Sequence, residues 1–315
     1  MGIFDFVQAL LAAVPDRNDA DINANPTVKQ LVKLHGQDIS HYPPDKPYSV
    51  SVFTSPLTLT RLPYIPAPQS PLLDPGTPRA TTAPSTDSPH GTLQTNWAAR
   101  HAHRTVLQQH CAYWDPDSDG IIWPLDIWRG VRAWGWNIFL SALATCIIHA
   151  GLSYPSVPGS WLPDPFMRIW VRQVHKCKHG SDSGSYDTEG RFSPQNFEGL
   201  FAKFDGGGKG GLDVMDVARA LKGQRCAFDF FGWSAAALEC EFGGVWVRLM
   251  GYVADDYAGL AVYLLLWPED GVIRKEDIRR VFDGSIFQQK ADEYAEKCAR
   301  QGRTRKAVVY GKRGY

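Results

Sequence analysis

Three aspartates at alternate positions, Asp115, Asp117 and Asp119, open the run DPDSDGIIWPLD, with Gly120 next and Asp126 at its end. An EF-hand loop takes carboxylate oxygens at its first, third and fifth positions, turns sharply on a glycine at the sixth, offers a backbone carbonyl at the seventh and closes on an acidic side chain at the twelfth. Asp115, Asp117, Asp119, the Ile121 carbonyl and Asp126 satisfy that list, and hard oxygens in this number suit calcium. The last position is aspartate where glutamate is usual. Its shorter arm binds through one oxygen, which lowers calcium affinity or lets magnesium compete.

The second chemical signal is a pair of histidines. His110 lies five residues before Asp115, and His179 lies six residues before Ser185, which opens a weaker copy of the same loop, SYDTEGRFSPQN. If the two loops pair about a pseudo-twofold axis, the imidazoles face one another. Two imidazoles across an apolar cleft can hold a haem, one as axial ligand and the other as sixth ligand or acid–base group. They can equally be hydrogen-bonded structural histidines, and His175, one helical turn before His179, is a rival. No c-type haem attachment motif is present.

Positioning these groups requires helices on either side of each loop. Trp97, Val106, Leu107, Cys111 and Trp114 recur at helical spacing into the first loop. Besides the copy at 185–196, residues 205–216 keep Asp205, Gly210, Leu212 and Asp216, and residues 266–277 keep Asp270, Gly271, Ile273 and Asp277. Lys209 at a ligand position repels a metal ion, so these copies are expected to be structural. EF-hands pair through a short antiparallel ladder at the eighth position, which predicts Ile122 opposite Phe192 and Leu212 opposite Ile273. The expected fold is mainly α, an EF-hand-like body of one intact and several degenerate hands.

That body is interrupted by an apolar run, IFLSALATCIIHAGL, from Ile138 to Leu152. A spanning helix needs about 20 apolar residues. Here Pro155, Pro158, Pro163 and Pro165 follow at once, while Trp134, Trp136, Trp161, Leu162 and Phe166 supply interfacial and apolar character. The pattern reads as a monotopic hairpin dipping into one leaflet, with a buried core helix as the alternative. Residues 4–14 read as a short amphipathic helix, and the prolines between 39 and 91 predict an extended or disordered stretch. The expected division is 1–92 as a largely disordered Pro-rich segment, 93–136 as the first hand, 137–166 as the hairpin, 167–290 as the degenerate hands and 291–315 as a tail.

Composition narrows the function. Formal charge is zero over 315 residues and no basic block occurs, which excludes the electrostatic footprint of a nucleic-acid binder. The six cysteines show no paired spacing, which argues against zinc or a disulfide framework and for a reducing compartment. The run from Gly206 to Gly210 sits in an EF-like loop and lacks the strand-glycine-helix context of a nucleotide site.

Taken together, LQQHCAYWDPDSDGIIWP, GLSYPSVPGSWLPDPF, VHKCKHGSDSGSYDTEGRFSPQNFE and IRRVFDGSIF, in this order and spacing, resemble the caleosins, also called plant seed and fungal peroxygenases. The likeness spans about residues 73–287. It implies one calcium-loaded EF-hand, a proline-knot anchor on lipid droplets or endoplasmic reticulum with the body facing the cytosol, and haem b held by two histidines, which fall on His110 and His179. It implies a peroxygenase that takes oxygen from fatty acid hydroperoxides and oxidises unsaturated fatty acids. A non-enzymatic lipid-droplet coat or tether and a soluble calcium sensor are the alternatives, and a homo-oligomer is left open. Residues 242–259 look like added material relative to the family, either a true loop or a translated intron.

Overall fold

The computed structural model describes residues 48–52, 55–58, 64, 66–67, 69–229, 268 and 270–302. The expected amphipathic helix at 4–14, the segment 242–259 and the tail beyond residue 302 lie outside them. The described elements are β1 (Tyr48–Val52), β2 (Ser55–Thr58), α1 (Trp97–Arg100), α2 (Val106–His110), β3 (Ile121–Ile122), α3 (Pro124–Ala133), α4 (Ile138–Ser156), β4 (Ile169–Trp170), a 3-10 segment at Val171–Cys177, α5 (Pro194–Phe204), β5 (Gly211–Leu212), α6 (Val214–Gln224), β6 (Ile273–Arg274), α7 (Lys275–Phe282) and α8 (Ser285–Arg300). The fold is mainly α, and its strands form three two-stranded ladders among the described residues.

Local chemistry starts the helices around the loops. Thr105 accepts from the Gln108 amide while the Gln108 side chain accepts from the Thr105 amide, so α2 begins on a complete capping box. Asp126 does similar work for α3, its Oδ2 accepting from the Trp123 amide at 3.0 Å behind Pro124 at the first helical position. Asp213 caps α6 by accepting from the Met215 and Asp216 amides.

One loop pairing is as expected and one is not. Leu212 lies opposite Ile273 and Gly211 opposite Arg274, so the third and fourth hands pair. Ile122, expected opposite Phe192, pairs instead with Ile169, and Ile121 with Trp170. The reason is the return path of the apolar hairpin, which delivers Ile169 to the first loop before the second loop is reached. Phe192 is fully buried elsewhere, bridging to Arg79 and Tyr186.

Two apolar clusters result. One gathers Cys111, Tyr113, Trp114, Ile122, Val131, Ile169 and Phe287; the other gathers Val106, Phe192, Phe197, Phe201 and Leu212. Val106 and Cys111 therefore stitch the α2 segment between both cores. The proline-rich stretch forms no helix where it is described, and over 69–92 it is a run of turns docked on the body rather than disordered: Leu72, Ala83, Ser85 and Thr92 are buried. Its polar groups are claimed by the body, with the Thr86 amide and hydroxyl donating to Glu198 and Arg279 donating to the Ala83 carbonyl and Thr92 Oγ1. These bonds compensate a backbone that proline keeps out of helix. The body thus begins well before residue 92.

Helix α4 runs past Leu152 to Ser156 with Pro155 in its last turn. It is the one helix among the described residues long and apolar enough to cross a membrane. Its faces are inverted. Ser141, His149, Ser153 and Ser156 are buried against the protein, whereas Phe139, Leu143, Cys146, Ala150 and Tyr154, spaced by three or four residues, point outward. The chain then doubles back: Met167 and Arg168 carbonyls meet His149 Nδ1 at 2.6 Å and Ser153 Oγ at 2.9 Å, and the Trp170 amide donates to Ser156 Oγ at 3.1 Å. Pro158, Pro163 and Pro165 sit in the exposed turn with Trp161, 92% exposed, Leu162 and Phe166.

Candidate functional site

The first loop has the shape of a cation site. Gly120 turns at φ +81°, and the carboxylate oxygens of Asp115, Asp117 and Asp119 lie within 4.8 Å of one another. Asp115 is the buried member. Its Oδ2 accepts from the Gly120 amide at 3.2 Å and faces Arg104 at 3.5 Å, while its Oδ1 is buried without a hydrogen-bond partner. Burial pushes its carboxyl up to about 6. An orphaned carboxylate oxygen at the centre of three converging acids is what a divalent ion would satisfy. Asp126 stands outside that cluster, its carboxyl pushed up by burial and one oxygen committed to capping α3.

The third loop is filled from within. Lys209 Nζ lies 2.6 Å from Asp216 Oδ2, 3.0 Å from Asp213 Oδ2 and 2.6 Å from the Gly206 carbonyl, and Arg219 pairs with Asp216 Oδ1 at 2.7 Å. The lysine that was expected to repel a metal ion supplies the positive charge itself. In the second loop Asp187 accepts from the Glu189 and Arg191 amides and pairs with the Arg191 guanidinium, so its carboxylate is likewise spent locally.

His110 ends α2, which packs against the 3-10 segment Val171–Cys177, and His179 follows that segment after Lys178. Their rings have separate partners. His110 Nδ1 is 2.8 Å from the Val281 carbonyl, and its ring meets Phe287 edge-on at 5.0 Å between centroids, filling the space on that side. A carbonyl only accepts, so the neutral ring carries its proton on Nδ1 and keeps the Nε2 lone pair; burial holds its pKa down and the ring neutral. That is the donor state of a metal-ligating imidazole. His179 Nδ1 faces Asp229 Oδ2 at 3.6 Å, with 10% of the side chain exposed. Imidazole nitrogen is a donor type that an iron porphyrin accepts. Cys111, just after α2, and Cys177, the last residue of the 3-10 segment, are pushed up to about 12 by burial and are unreactive thiols.

Against known families, the model described as Caleosin related protein matches residues 102–250 and 245–291. The chain belongs to the caleosin family. Among curated relatives of this caleosin, a protein named Peroxygenase from Lilium longiflorum is 37% identical over 221 residues, 70% of this chain and 82% of the relative. Probable peroxygenase 4 of Arabidopsis thaliana is 32% identical over 62% of this chain and 90% of its own. A third relative, named Probable inactive peroxygenase-like protein of Arabidopsis thaliana, is 29% identical over 51% of this chain and 67% of its own. No solved structure matches.

Asp229 and Ser181 escaped the reading of the caleosin sequence. Asp229 stands far along the chain from His179, and no local pattern links the two. The inverted polar face of α4 also went unread, because serines and one histidine scattered in an apolar run do not announce which side they take.

Proposed function

We propose that this caleosin is a calcium-binding, haem-dependent peroxygenase acting at a lipid surface. The observation that carries the reading is the 37% identity to a protein named peroxygenase over 82% of that relative. A haem b, when bound, supplies the oxygen-transfer chemistry, in which a fatty acid hydroperoxide gives one oxygen to an unsaturated acyl chain and leaves as the alcohol. His110 and His179 would hold that group, and one of the two imidazoles would serve as its acid–base partner. The acid–base imidazole takes the hydroperoxide proton at Nε2 and returns it to the departing oxygen. His110 suits a ligand because Val281 holds its proton on Nδ1 and burial keeps the ring uncharged.

Calcium would be held by Asp115, Asp117, Asp119 and the Ile121 carbonyl, with Asp126 reaching in as the loop closes. Its role here is to fix the α2 end of the loop, since Asp115 follows α2 after a short 3-10 turn and His110 is the last residue of that helix. The outward stripe Phe139, Leu143 and Tyr154, continued by Trp161, Leu162 and Phe166, lies in the lipid. A helix whose polar side is bonded to the body attaches from one side, which suits a lipid droplet monolayer or the cytosolic leaflet of the endoplasmic reticulum.

The test is the absorption spectrum and hydroperoxide-dependent epoxidation of oleate by purified, haem-supplemented protein, beside His110→Ala and His179→Ala. A Soret band and epoxide that both variants lose support the reading. Absence of both from the wild-type protein overturns it.

A further inference from the structure

The contacts behind His179 carry an inference that rests on the reading of His179 as a haem residue. The turn at His179, Gly180 and Ser181 is closed by the segment that follows α6. Asp229 Oδ2 accepts from the Ser181 amide at 2.8 Å and from Ser181 Oγ at 2.6 Å, and it stands 3.6 Å from His179 Nδ1. The Ser181 hydroxyl accepts in turn from the Cys226 amide at 3.0 Å, so its own proton is directed at Asp229. Cys226 Sγ also donates to the Gly180 carbonyl at 3.1 Å. Ser181 is buried, and Asp229 is 17% exposed.

Two donors converge on the one carboxylate oxygen that faces the imidazole. The oxygen is thereby fixed in place, and because a carboxylate only accepts, it favours hydrogen on the ring nitrogen that faces it. With hydrogen on Nδ1 toward Asp229, His179 carries Nε2 on the opposite edge of the ring. At 3.6 Å the contact is just longer than a hydrogen bond, a spacing that such pairs shorten once the site is loaded. His110 is backed differently, by the neutral carbonyl of Val281. The two histidines therefore share one design, an acceptor behind Nδ1, and differ in its charge.

We propose that Asp229 is the positioning residue for His179: held by Ser181, it fixes the imidazole as the Nδ1–H tautomer and aims Nε2 at the haem and the hydroperoxide. The competing explanation is a staple, in which Asp229 only ties residues 226–229 to the 180–181 turn. A staple would act through Ser181 and would leave the imidazole indifferent to the carboxylate.

The experiment uses the full-length protein with nitrogen-15-labelled histidine, first without haem. Long-range proton–nitrogen spectra identify His179 by the signals lost in His179→Ala, and they report which ring nitrogen is protonated. The wild-type ring is expected as the Nδ1–H tautomer, and Asp229→Ala is expected to give a mixture. Asp229→Asn, whose amide oxygen can still accept, is expected to recover most of the fixed tautomer, and Ser181→Ala to keep it. After haem supplementation, Asp229→Ala should retain bound haem with a shifted Soret band, and kcat should fall about 10–100-fold with little change in KM for cumene hydroperoxide. Unchanged His179 signals in Asp229→Ala overturn the proposal. Should Asp229→Asn scatter the tautomer as fully as Asp229→Ala, the acceptor oxygen is not what fixes the ring and the proposal fails. If Asp229→Ala alters the tautomer while His179→Ala leaves the haem spectrum of wild type, His179 is not a haem residue. That outcome overturns the underlying functional reading as well, and the first spectra alone tell the two failures apart. Circular dichroism of each variant checks that the fold is retained.

Discussion

His110 caps a helix that is not its own. Its Nδ1 lies 2.8 Å from the carbonyl of Val281, in the last turn of α7, where backbone carbonyls have lost their intrahelical partners. The helix leading into the calcium loop is thus joined to the helix that follows the paired third and fourth hands. The approach is close enough that a Cβ on Gly284 would fall 2.6 Å from the Gln109 carbonyl oxygen and 2.8 Å from His110 Cα.

Gly284→Ala should therefore disturb His110 without touching its side chain. Gly284 has φ +76°, so alanine meets both left-handed strain and a backbone clash, together about 2–3 kcal/mol. Urea unfolding should show that loss. A wild-type midpoint would mean that α2 and the turn before α8 are not pressed together as described.

Calcium should bind once per chain. Asp115 offers an unpartnered buried oxygen, whereas the Lys209 ammonium already occupies the third loop. Asp126→Glu should lengthen the closing arm and raise calcium affinity by about tenfold, about 1.4 kcal/mol, over magnesium. Isothermal titration measures both; a stoichiometry of two would show that a degenerate loop takes up metal.

The loop should also couple calcium to acidity. Burial pushes Asp115 up to about 6, above the value of about 4 for an unfolded aspartate. The metal-free fold therefore holds this proton more tightly than the unfolded chain does. The stability it contributes is fully present below about pH 4 and is lost as pH rises through about 6. Calcium replaces the proton, so a chelator should lower the melting temperature strongly at pH 7.5 and weakly at pH 5. Equal shifts at both values would contradict the assignment of Asp115 as the pivotal ligand.

Lipid attachment should separate cleanly from stability. Phe139 and Trp161 are 87% and 92% exposed, so serine at either position should change folding free energy by only about 0.5 kcal/mol while reducing flotation with oil droplets. Ser153→Ala removes the bond to the Arg168 carbonyl and should cost about 1 kcal/mol while leaving flotation intact. Flotation lost through Ser153 and kept through Phe139 would reverse the proposed faces of α4.

What the sequence disclosed and what it hid divide along the range of the forces involved. The calcium loop is legible because its carboxylates are neighbours in the chain, and the Leu212–Ile273 pair because glycine and position eight set its register locally. Ile122 pairs with Ile169 rather than Phe192, a partner that depends on how far the apolar hairpin returns. The docked arm was hidden for the same reason: its ordering comes from Glu198 and Arg279, remote in sequence from Thr86 and Ala83. Nothing in the residues around His179 points to Asp229.

Lys209 has a consequence for timing. An ammonium tethered to its own loop cannot be diluted or chelated away, so the β5–β6 pair should hold at any concentration of free divalent ion. On the proposed reading a change in free calcium should act at the first loop alone, next to the helix that ends in His110.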